Sequence, residues 1–214
     1  MDDKYEVAKL LLEARAITLS PDKPYRYSSG ILSPIYSDHR QVMGYPAIRR
    51  RIAQLLSDKI KELDTVDFIS ATATGAIPHG AWVAELLDLP LVYIRNKPKD
   101  HGKQNLIEGF FEKNQRTVIV EDLISTGQSA IASALAVREA NCQVDNVVAI
   151  TTYKLPQADI NFTQNNLILH TLTDFPTIID VASKNGYIKA SETQLVLKWQ
   201  QDPSEWAKNN NISL

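Results

Sequence analysis

Apolar residues at helical spacing occupy two stretches in the early part of the chain. In residues 5–16 they recur three and four positions apart, which predicts a first helix, and the same spacing runs from Tyr45 to Leu63. Between these stretches, residues 18–41 are rich in serine, proline and glycine. This segment is too polar and too often broken by proline for a core strand, so we predict a long irregular connection of the kind that often carries function.

Further along, short apolar runs alternate with helical patterns. We predict strands at Val66–Ser70, Leu91–Ile94, Thr117–Glu121 and Asp145–Thr152, with a further edge strand at Asn166–His170. Repeated strand–helix units connect into a mainly parallel, doubly wound sheet, so the predicted fold class is α/β. Ligands of such sheets bind at the carboxyl ends of the strands, which is where candidate chemistry is sought.

The composition narrows the class of protein. The chain has 214 residues, 44% of them hydrophobic and 22% charged, which suits one globular domain. A net charge of −2 gives no general attraction to nucleic acid or to an anionic membrane, so we expect neither partner. The single Cys142 precludes an intrachain disulfide, and the acidic start lacks the features of a signal peptide. No run approaches the ~20 apolar residues that span a bilayer. We therefore expect a cytoplasmic protein.

The stretch from Thr117 to Ala130, TVIVEDLISTGQSA, carries the clearest chemistry. A buried strand leads into Glu121 and Asp122, and a turn around Gly127 then opens a helix. Free N–H groups and the helix dipole favour a phosphate at such a turn, and glycine lets the backbone approach it closely. The two carboxylates would repel that phosphate, so we expect them to face sugar hydroxyls or a divalent cation. No Walker nucleotide loop is present, and the stretch predicts a sugar phosphate site.

Two other stretches carry weaker signals. The turn Ala71–Gly80 either presents N–H groups to a second phosphate or is an ordinary tight turn, and both interpretations stay open. His79, at the start of the next predicted helix, is interpreted as a surface residue rather than a catalyst. The segment Arg95–Lys103, RNKPKDHGK, sets four basic residues against one acid. We favour a loop that closes over anionic groups and stabilises a charged leaving group, rather than a basic surface loop.

The Thr117–Ala130 stretch resembles the phosphoribosyl pyrophosphate motif of the phosphoribosyltransferases. Four stretches together resemble the orotate phosphoribosyltransferases over nearly the whole chain: YSSGILSPIYSDHR, ATATGAIPHGAW, RNKPKDHGK and VIVEDLISTGQSA. The resemblance implies a type I phosphoribosyltransferase fold in a single domain. Its implied parts are an N-terminal hood at about 1–42, a core at about 43–155 and C-terminal elements at about 156–214.

The same resemblance implies an activity. A ribosyl 5-phosphate group would pass from phosphoribosyl pyrophosphate (PRPP) to N1 of orotate, giving orotidine 5′-monophosphate and pyrophosphate in pyrimidine biosynthesis. Mg²⁺ is the implied cofactor, carried by PRPP rather than assigned to protein ligands. A homodimer with shared active sites is implied, because the basic loop of this family reaches into the neighbouring subunit's site.

The resemblance also assigns roles to individual residues. The implied catalytic residues are Lys99, His101 and Asp122. The implied PRPP-binding residues are Arg95, Lys99, His101, Glu121, Asp122, Ser125, Thr126, Gly127, Gln128 and Ser129. The implied orotate-binding residues are Ser28, Ser29, Gly30, Tyr36 and Ser125.

Several positions depart from the family pattern. Ser28 and Gly75 stand where many members carry lysine, and Tyr153 and Lys154 stand where many carry an arginine for the orotate carboxylate. The partner of that carboxylate therefore stays open among Tyr153, Lys154 and a backbone group. Two alternative functions stay open as well: transfer to another nucleobase, and a regulator that binds PRPP without catalysis.

Overall fold

Helices and strands alternate through most of the computed structural model, which describes residues 2–27, 29–96 and 106–212. The strands, in chain order, are β1 (Ile17–Leu19), β2 (Tyr25–Arg26), β3 (Leu32–Ser33), β4 (Ile35–Ser37), β5 (Phe68–Thr72), β6 (Leu91–Ile94), β7 (Ile107–Glu108), β8 (Arg116–Ile124), β9 (Gln143–Thr152) and β10 (Ile168–Asp174). The α-helices are α1 (Asp3–Glu13), α2 (Pro46–Lys61), α3 (Ile77–Leu87), α4 (Gln128–Glu139), α5 (Pro156–Gln164), α6 (Phe175–Lys184), α7 (Thr193–Gln201) and α8 (Trp206–Asn209). Short 3-10 helices cover His39–Gly44 and Ala190–Glu192.

Six of these strands form the central sheet of the described residues, in the order β10-β9-β8-β5-β6-β7. Neighbouring strands run parallel from β10 to β6, and only β7 is antiparallel to its neighbour β6. This arrangement confirms the predicted mainly parallel, doubly wound α/β fold. The helices between the strands cover both faces, which is why the central strands are nearly continuous apolar runs.

Strand β8 distributes its side chains alternately to the two faces of the sheet. Val118 and Val120 belong to the hydrophobic core that includes α1, α2 and α3. Ile119 belongs to the other core, which includes α4. Continued to the next two positions, the alternation directs Glu121 toward the α4 side and Asp122 toward the α2 and α3 side, whereas Leu123 and Ile124 at the strand end depart from it.

The connection predicted at residues 18–41 lies outside the central sheet, as expected. It forms two small antiparallel pairs, β1 with β4 and β2 with β3, and it packs against the C-terminal helices. The indole Nε1 of Trp199 donates to the Leu32 carbonyl at 3.2 Å, and Trp199 is buried. We use the name hood for residues 17–44, which lie over the carboxyl end of the sheet.

Some predicted boundaries are wrong. Strand β8 does not end at Glu121 but continues to Ile124, because Leu123 and Ile124 still pair with Thr151 and Thr152 of β9. The acid pair therefore lies within a strand rather than in a loop. Strand β10 is also longer than predicted, since it runs to Asp174 along β9. Among the described residues, no helix combines the length and the apolar character required to cross a membrane.

Candidate active site

A cavity of about 360 Å³ opens at the carboxyl ends of β5 and β8, beneath the hood. Its walls come from the hood, from the turn after β5, from the end of β8 and from the start of α4. The lining residues are Ser37, Asp38, Arg40, Thr72, Ala73, Thr74, Gly75, Glu121, Asp122, Leu123 and Ser129. Part of the strongest sequence motif, Glu121–Leu123 and Ser129, therefore lines this cavity. Part of the Ala71–Gly80 turn, whose role stayed open in the sequence, lines it as well.

Asp122 lies on the α2 and α3 side of the sheet, following Val118 and Val120 in the alternation of β8. Its Oδ1 accepts a hydrogen bond from the Leu123 N–H at 2.9 Å. The backbone of Gly75 packs directly on this carboxylate: a Cβ at position 75 would lie 2.9 Å from the Asp122 Cγ. A side chain at this position would displace the carboxylate, so glycine leaves Asp122 its place in the cavity.

Glu121 points to the opposite side, toward α4, and only 5% of it is exposed. Its Oε1 accepts a hydrogen bond from the Asp122 N–H at 3.0 Å, while Oε2 has no partner among the described residues. Burial and the neighbouring Asp122 carboxylate raise the pKa of Glu121 well above its ordinary value. The two adjacent acids are therefore chemically unlike: Glu121 retains its proton to higher pH than an ordinary glutamate does.

The Ser125–Ser129 turn is held in place from behind by α5. Gly127 has a φ of +81°, and a Cβ there would lie 3.1 Å from Cδ2 of Phe162. The Asn161 Nδ2 donates to the Thr126 carbonyl at 2.9 Å. Gly127 occupies the N-cap position of α4, and no side chain caps that helix. Its first-turn N–H groups are thus available to an anion, as the sequence predicts.

A second cavity of about 270 Å³ adjoins the first along α4, and Ser129 borders both. Arg95 and Gln128 line it, and the Arg95 guanidinium lies 3.5 Å from the Glu108 carboxylate. Arg95 is thus close to the start of α4, the helix that follows the Gly127 turn. Lys99 and His101, the other residues assigned to the basic loop, lie outside the described residues, as does Ser28 of the hood.

The described hood residues that line the cavity are Ser37, Asp38 and Arg40, and the orotate-binding residues assigned from the resemblance are not among them. Tyr36 is 44% exposed and packs on Tyr25, with ring centroids 5.5 Å apart, and it is not among the residues that line the cavity, whereas Ser37 is. Ser29 and Gly30 form an exposed turn in which Gly30 has a φ of +88°. The alternation of β4 could have indicated Ser37, because adjacent strand residues face opposite sides.

The two candidates for an orotate carboxylate partner after β9 are both engaged elsewhere. The Tyr153 hydroxyl donates to the Ser37 Oγ at 3.0 Å, and this side chain is buried. The Lys154 Nζ lies 3.6 Å from Asp174. Neither lines the cavity, whereas Arg40 does, with its Nε donating to Asp38 at 2.6 Å.

Two histidines lie beside the cavity and are buried. His39 starts the 3-10 helix of the hood and is 1% exposed, and His79 lies in the first turn of α3 and is fully buried. The interpretation of His79 as a surface residue is wrong. Helix α3 approaches β5 so closely that a Cβ at Gly80 would lie 2.7 Å from the Ala71 Cβ, and this contact buries the start of the helix.

A protein-built metal cage is not found in the parts of the chain that the structure describes, because no three acidic, histidine or cysteine side chains converge there. Mg²⁺ commonly binds through one or two carboxylates together with the phosphates of a substrate. The residues present therefore fit an ion that arrives bound to a polyphosphate.

Comparison with known proteins gives the class. A family model described as the phosphoribosyl transferase domain matches residues 40–160, a span that contains the acid pair, the Gly127 turn and the Gly75 turn. The chain therefore belongs to the phosphoribosyltransferase family.

Relatives within this family make the likeness more specific. The chain is 49% identical to the orotate phosphoribosyltransferase of Coxiella burnetii, with 96% of this chain and 99% of the relative covered. It is 47% identical to that of Enterococcus faecalis, with coverage of 95% and 97%. The crystal structure of orotate phosphoribosyltransferase from Aeropyrum pernix matches with a TM-score of 0.74 and 26% identity, over 85% of this chain and 99% of that one. These matches confirm the resemblance that the four motifs indicate.

Proposed function

We infer that this protein is an enzyme that transfers the 5-phosphoribosyl group of PRPP to N1 of orotate. The products are orotidine 5′-monophosphate and pyrophosphate, a step of pyrimidine biosynthesis. The observation that carries the inference is the cavity in which Asp122, the Gly75 turn and the uncapped start of α4 meet. Close relatives over almost the whole chain that are named for this reaction support the choice of base.

We assign the donor's parts to three walls of the cavity. Its 5′-phosphate binds the N–H and hydroxyl donors of Ser125–Ser129, where the helix start favours an anion. The ribose diol binds the Asp122 carboxylate, which is an acceptor for hydroxyl groups. Glu121, whose pKa burial raises, supports Asp122 from behind through its contact with the Asp122 N–H. The N–H groups of Thr74 and Gly75, in the turn after β5, are offered to the pyrophosphate, while the Ala73 N–H donates to the Ile94 carbonyl at 2.8 Å.

The chemistry requires charge stabilisation rather than a nucleophile of the protein. As the bond to pyrophosphate breaks, positive charge develops on the ribose ring and negative charge on the leaving group. Arg95, with Lys99 and His101 of the basic loop, supplies cations to that leaving group. Mg²⁺, held by the PRPP phosphates, would supply further positive charge there when bound. Holding the ribose by its diol and its 5′-phosphate aligns the reacting carbon with the base.

The orotate side of the site is assigned to the hood. Ser28, Ser29, Gly30 and Tyr36, with Ser125, are the residues that the family resemblance brings to the base. Tyr36 packs on Tyr25 and does not line the cavity, so its contribution requires a movement of its side chain. We therefore add Ser37, which borders the cavity directly and is held by Tyr153.

We also propose a homodimer in the cytoplasm, with each basic loop serving the partner's site. Support comes from the family resemblance and from the position of Arg95 at the mouth of the second cavity, where the loop begins. The single domain with hood, core and C-terminal elements remains our proposed division of the chain.

The direct test is an ultraviolet assay of orotate loss in the presence of PRPP and Mg²⁺, run beside uracil, adenine, hypoxanthine and xanthine. Consumption of orotate alone, abolished by chelation of the metal, is the expected result. Consumption of another base instead would overturn the acceptor and keep the donor site. Donor binding by calorimetry without turnover of any base would replace the enzyme with a PRPP-binding regulator.

A further inference from the structure

His39 and His79 form a buried histidine pair next to the donor cavity. They come from different elements, the hood and the start of α3, and neither lines the cavity itself. All four ring nitrogens are buried and make no well-formed hydrogen bond to the described residues, and the backbone of His39 is the polar main-chain group that influences the His79 imidazole. Burying a polar group without a partner is unfavourable, and most folds avoid it. Two such groups side by side therefore call for a functional explanation.

The charged groups around the pair are few and identifiable. His39 experiences the carboxylates of Asp122 and Asp38, and His79 experiences Asp122 and the imidazole of His39. Asp38 already accepts hydrogen bonds from Arg40 and Gln41. Asp122, by contrast, lies on the same side of the sheet as α3 and uses Oδ1 for the Leu123 N–H. Of the two carboxylates, Asp122 is therefore the one that influences both imidazoles and whose Oδ2 makes none of the hydrogen bonds described above.

Both imidazoles are neutral at physiological pH. Burial is the largest influence and lowers the pKa of each ring, that of His79 to about 4. A neutral imidazole has one N–H donor and one acceptor nitrogen, so it can support a carboxylate without cancelling its charge. A lysine or arginine in the same place would form an ion pair and would compete with the substrate for the carboxylate.

His79 is also fixed from its outer side. Its ring meets Trp82 edge to face with centroids 5.4 Å apart, and Arg49 of α2 lies over the same indole at 5.3 Å. These contacts pack one side of the imidazole against the indole and limit its freedom to turn. A ring held on one side and unpartnered at its nitrogens is preorganised for a hydrogen bond that ligand binding completes.

We propose that His39 and His79 are positioning residues that orient Asp122 toward the ribose diol when the donor binds. This assignment rests on the proposed function, because it needs a diol at Asp122. On binding, the imidazole N–H groups donate to the carboxylate oxygens that do not face the sugar. Asp122 then presents its remaining lone pairs to the two hydroxyls in a fixed geometry.

The test separates ligands that carry the diol from one that lacks it. Titration calorimetry would compare ribose 5-phosphate and PRPP, which have the diol, with pyrophosphate, which does not. His39→Leu and His79→Leu are expected to weaken both diol ligands about tenfold or more, from the loss of a hydrogen bond to a charged group, and to leave pyrophosphate unchanged. His170→Asn is the matched control, because His170 bonds Asn146 on β9, outside both cavities.

Conservative variants guard against a folding defect. His39→Gln and His79→Asn keep an N–H donor near the position of a ring nitrogen, so they should recover part of the lost affinity for ribose 5-phosphate. In an Asp122→Asn background, the leucine substitutions should add little further loss, because their target has already been changed. An equal additional loss there would overturn the proposal.

Two other outcomes would also be decisive. Equal weakening of pyrophosphate and ribose 5-phosphate would show a general structural role and would overturn the proposal. Unchanged affinity for every ligand would do the same while leaving the proposed function intact, provided that the unsubstituted protein converts orotate. Failure of the unsubstituted protein to bind ribose 5-phosphate or to convert orotate would overturn the proposed function, and this inference with it.

Discussion

The backbone of Gly75 rests against the carboxylate of Asp122, so close that a Cβ would lie 2.9 Å from the Asp122 Cγ. Gly75 lies in the turn after β5, and Asp122 lies near the end of β8. Their contact joins the proposed pyrophosphate turn to the proposed diol acceptor. Because Gly75 has no side chain, the pyrophosphate turn can lie directly against the Asp122 carboxylate.

Substitution Gly75→Ala is expected to weaken PRPP binding about tenfold, because the new methyl group must push the Asp122 carboxylate away from the diol. Thermal stability should change little, since the side chain of Asp122 can rotate into the cavity. Gly44→Ala is the control, because nothing lies within 4 Å of a Cβ at position 44. Steady-state KM for PRPP and Tm measure the two effects, and equal kinetics for both variants would contradict the prediction.

The acid pair should respond unequally to neutralisation. Asp122→Asn should reduce both donor affinity and turnover, because it removes the charged diol acceptor. Glu121→Gln should retain activity within a few-fold, because glutamine resembles the protonated form that burial favours at position 121. Calorimetry with PRPP and kcat for orotate would be measured on both variants.

The same pKa shift predicts a pH effect on stability. Because the pKa of Glu121 is raised in the folded state, its contribution to folding is greatest at acidic pH and declines as pH rises through the folded-state pKa. Glu121→Gln should therefore gain in Tm relative to the unsubstituted protein as pH increases. A constant difference in Tm across the pH range would show that Glu121 is ionised in both states.

A methyl group at position 127 is expected to reduce the free energy of unfolding in two ways. Gly127→Ala should destabilise the fold by about 1–2 kcal/mol through its left-handed backbone alone, and further through overlap with Phe162. Gly30→Ala shares the left-handed backbone but has nothing within 4 Å of its Cβ, so it reports the backbone penalty by itself. Urea unfolding of both variants separates the two effects, and adding Phe162→Leu to Gly127→Ala should recover part of the difference.

Acid sensitivity should arise in part at Asp174, which caps α6. Although burial acts to raise the pKa of Asp174, hydrogen bonds from Lys4 and Thr177 outweigh it and lower the pKa to about 2. This depressed pKa stabilises the fold above about pH 4, and the stabilisation is lost as pH falls toward 2. Asp174→Asn should cost about 1–2 kcal/mol near pH 7, after allowance for solvent screening, and progressively less at lower pH.

Asp180→Asn provides the comparison for that experiment. Asp180 pairs with Lys184 at 2.7 Å on the surface of α6, where an ion pair adds little to stability. Unfolding by urea at several pH values should show a gap between the two variants at neutral pH that closes in acid. A gap of the same size at every pH would assign the effect of Asp174 to packing instead of charge.

Shared active sites would be visible on mixing two inactive variants. Lys99→Ala removes the cation of the basic loop, and Asp122→Asn removes the diol acceptor. If the loop acts across a dimer, each mixed dimer contains one intact site, and an equal mixture should recover roughly a quarter of full activity when subunits exchange at random. The activity of each variant mixed only with itself gives the baseline. If activity does not recover after subunit exchange has been verified, the shared site is contradicted.

Local patterns in the sequence predict the framework well. The apolar runs at β5, β6, β8 and β9 and the helical spacing of α2 follow from periodicity, and short connections between them leave few topologies. The phosphate turn at Gly127 was also predictable, because its strand, glycine and helix are adjacent in sequence.

Contacts between distant segments were not predictable in the same way. Whether His79 is buried depends on how closely α3 packs on β5, and the hydrogen bond between Tyr153 and Ser37 joins residues 116 positions apart. The extension of β8 past the acids depends on its pairing with β9. Once that extension is known, the opposite directions of Glu121 and Asp122 follow from alternation alone.

The bond between Trp199 and Leu32 sets an order for the protein's biogenesis. It joins residues 167 positions apart, and it secures the hood with an indole that follows every strand of the central sheet in the order of synthesis. A ribosome-bound chain can complete its central sheet before α7 has left the exit tunnel, but its hood then lacks this support. Substrate processing is therefore expected to begin only after α7 has left the ribosome and docked on the hood.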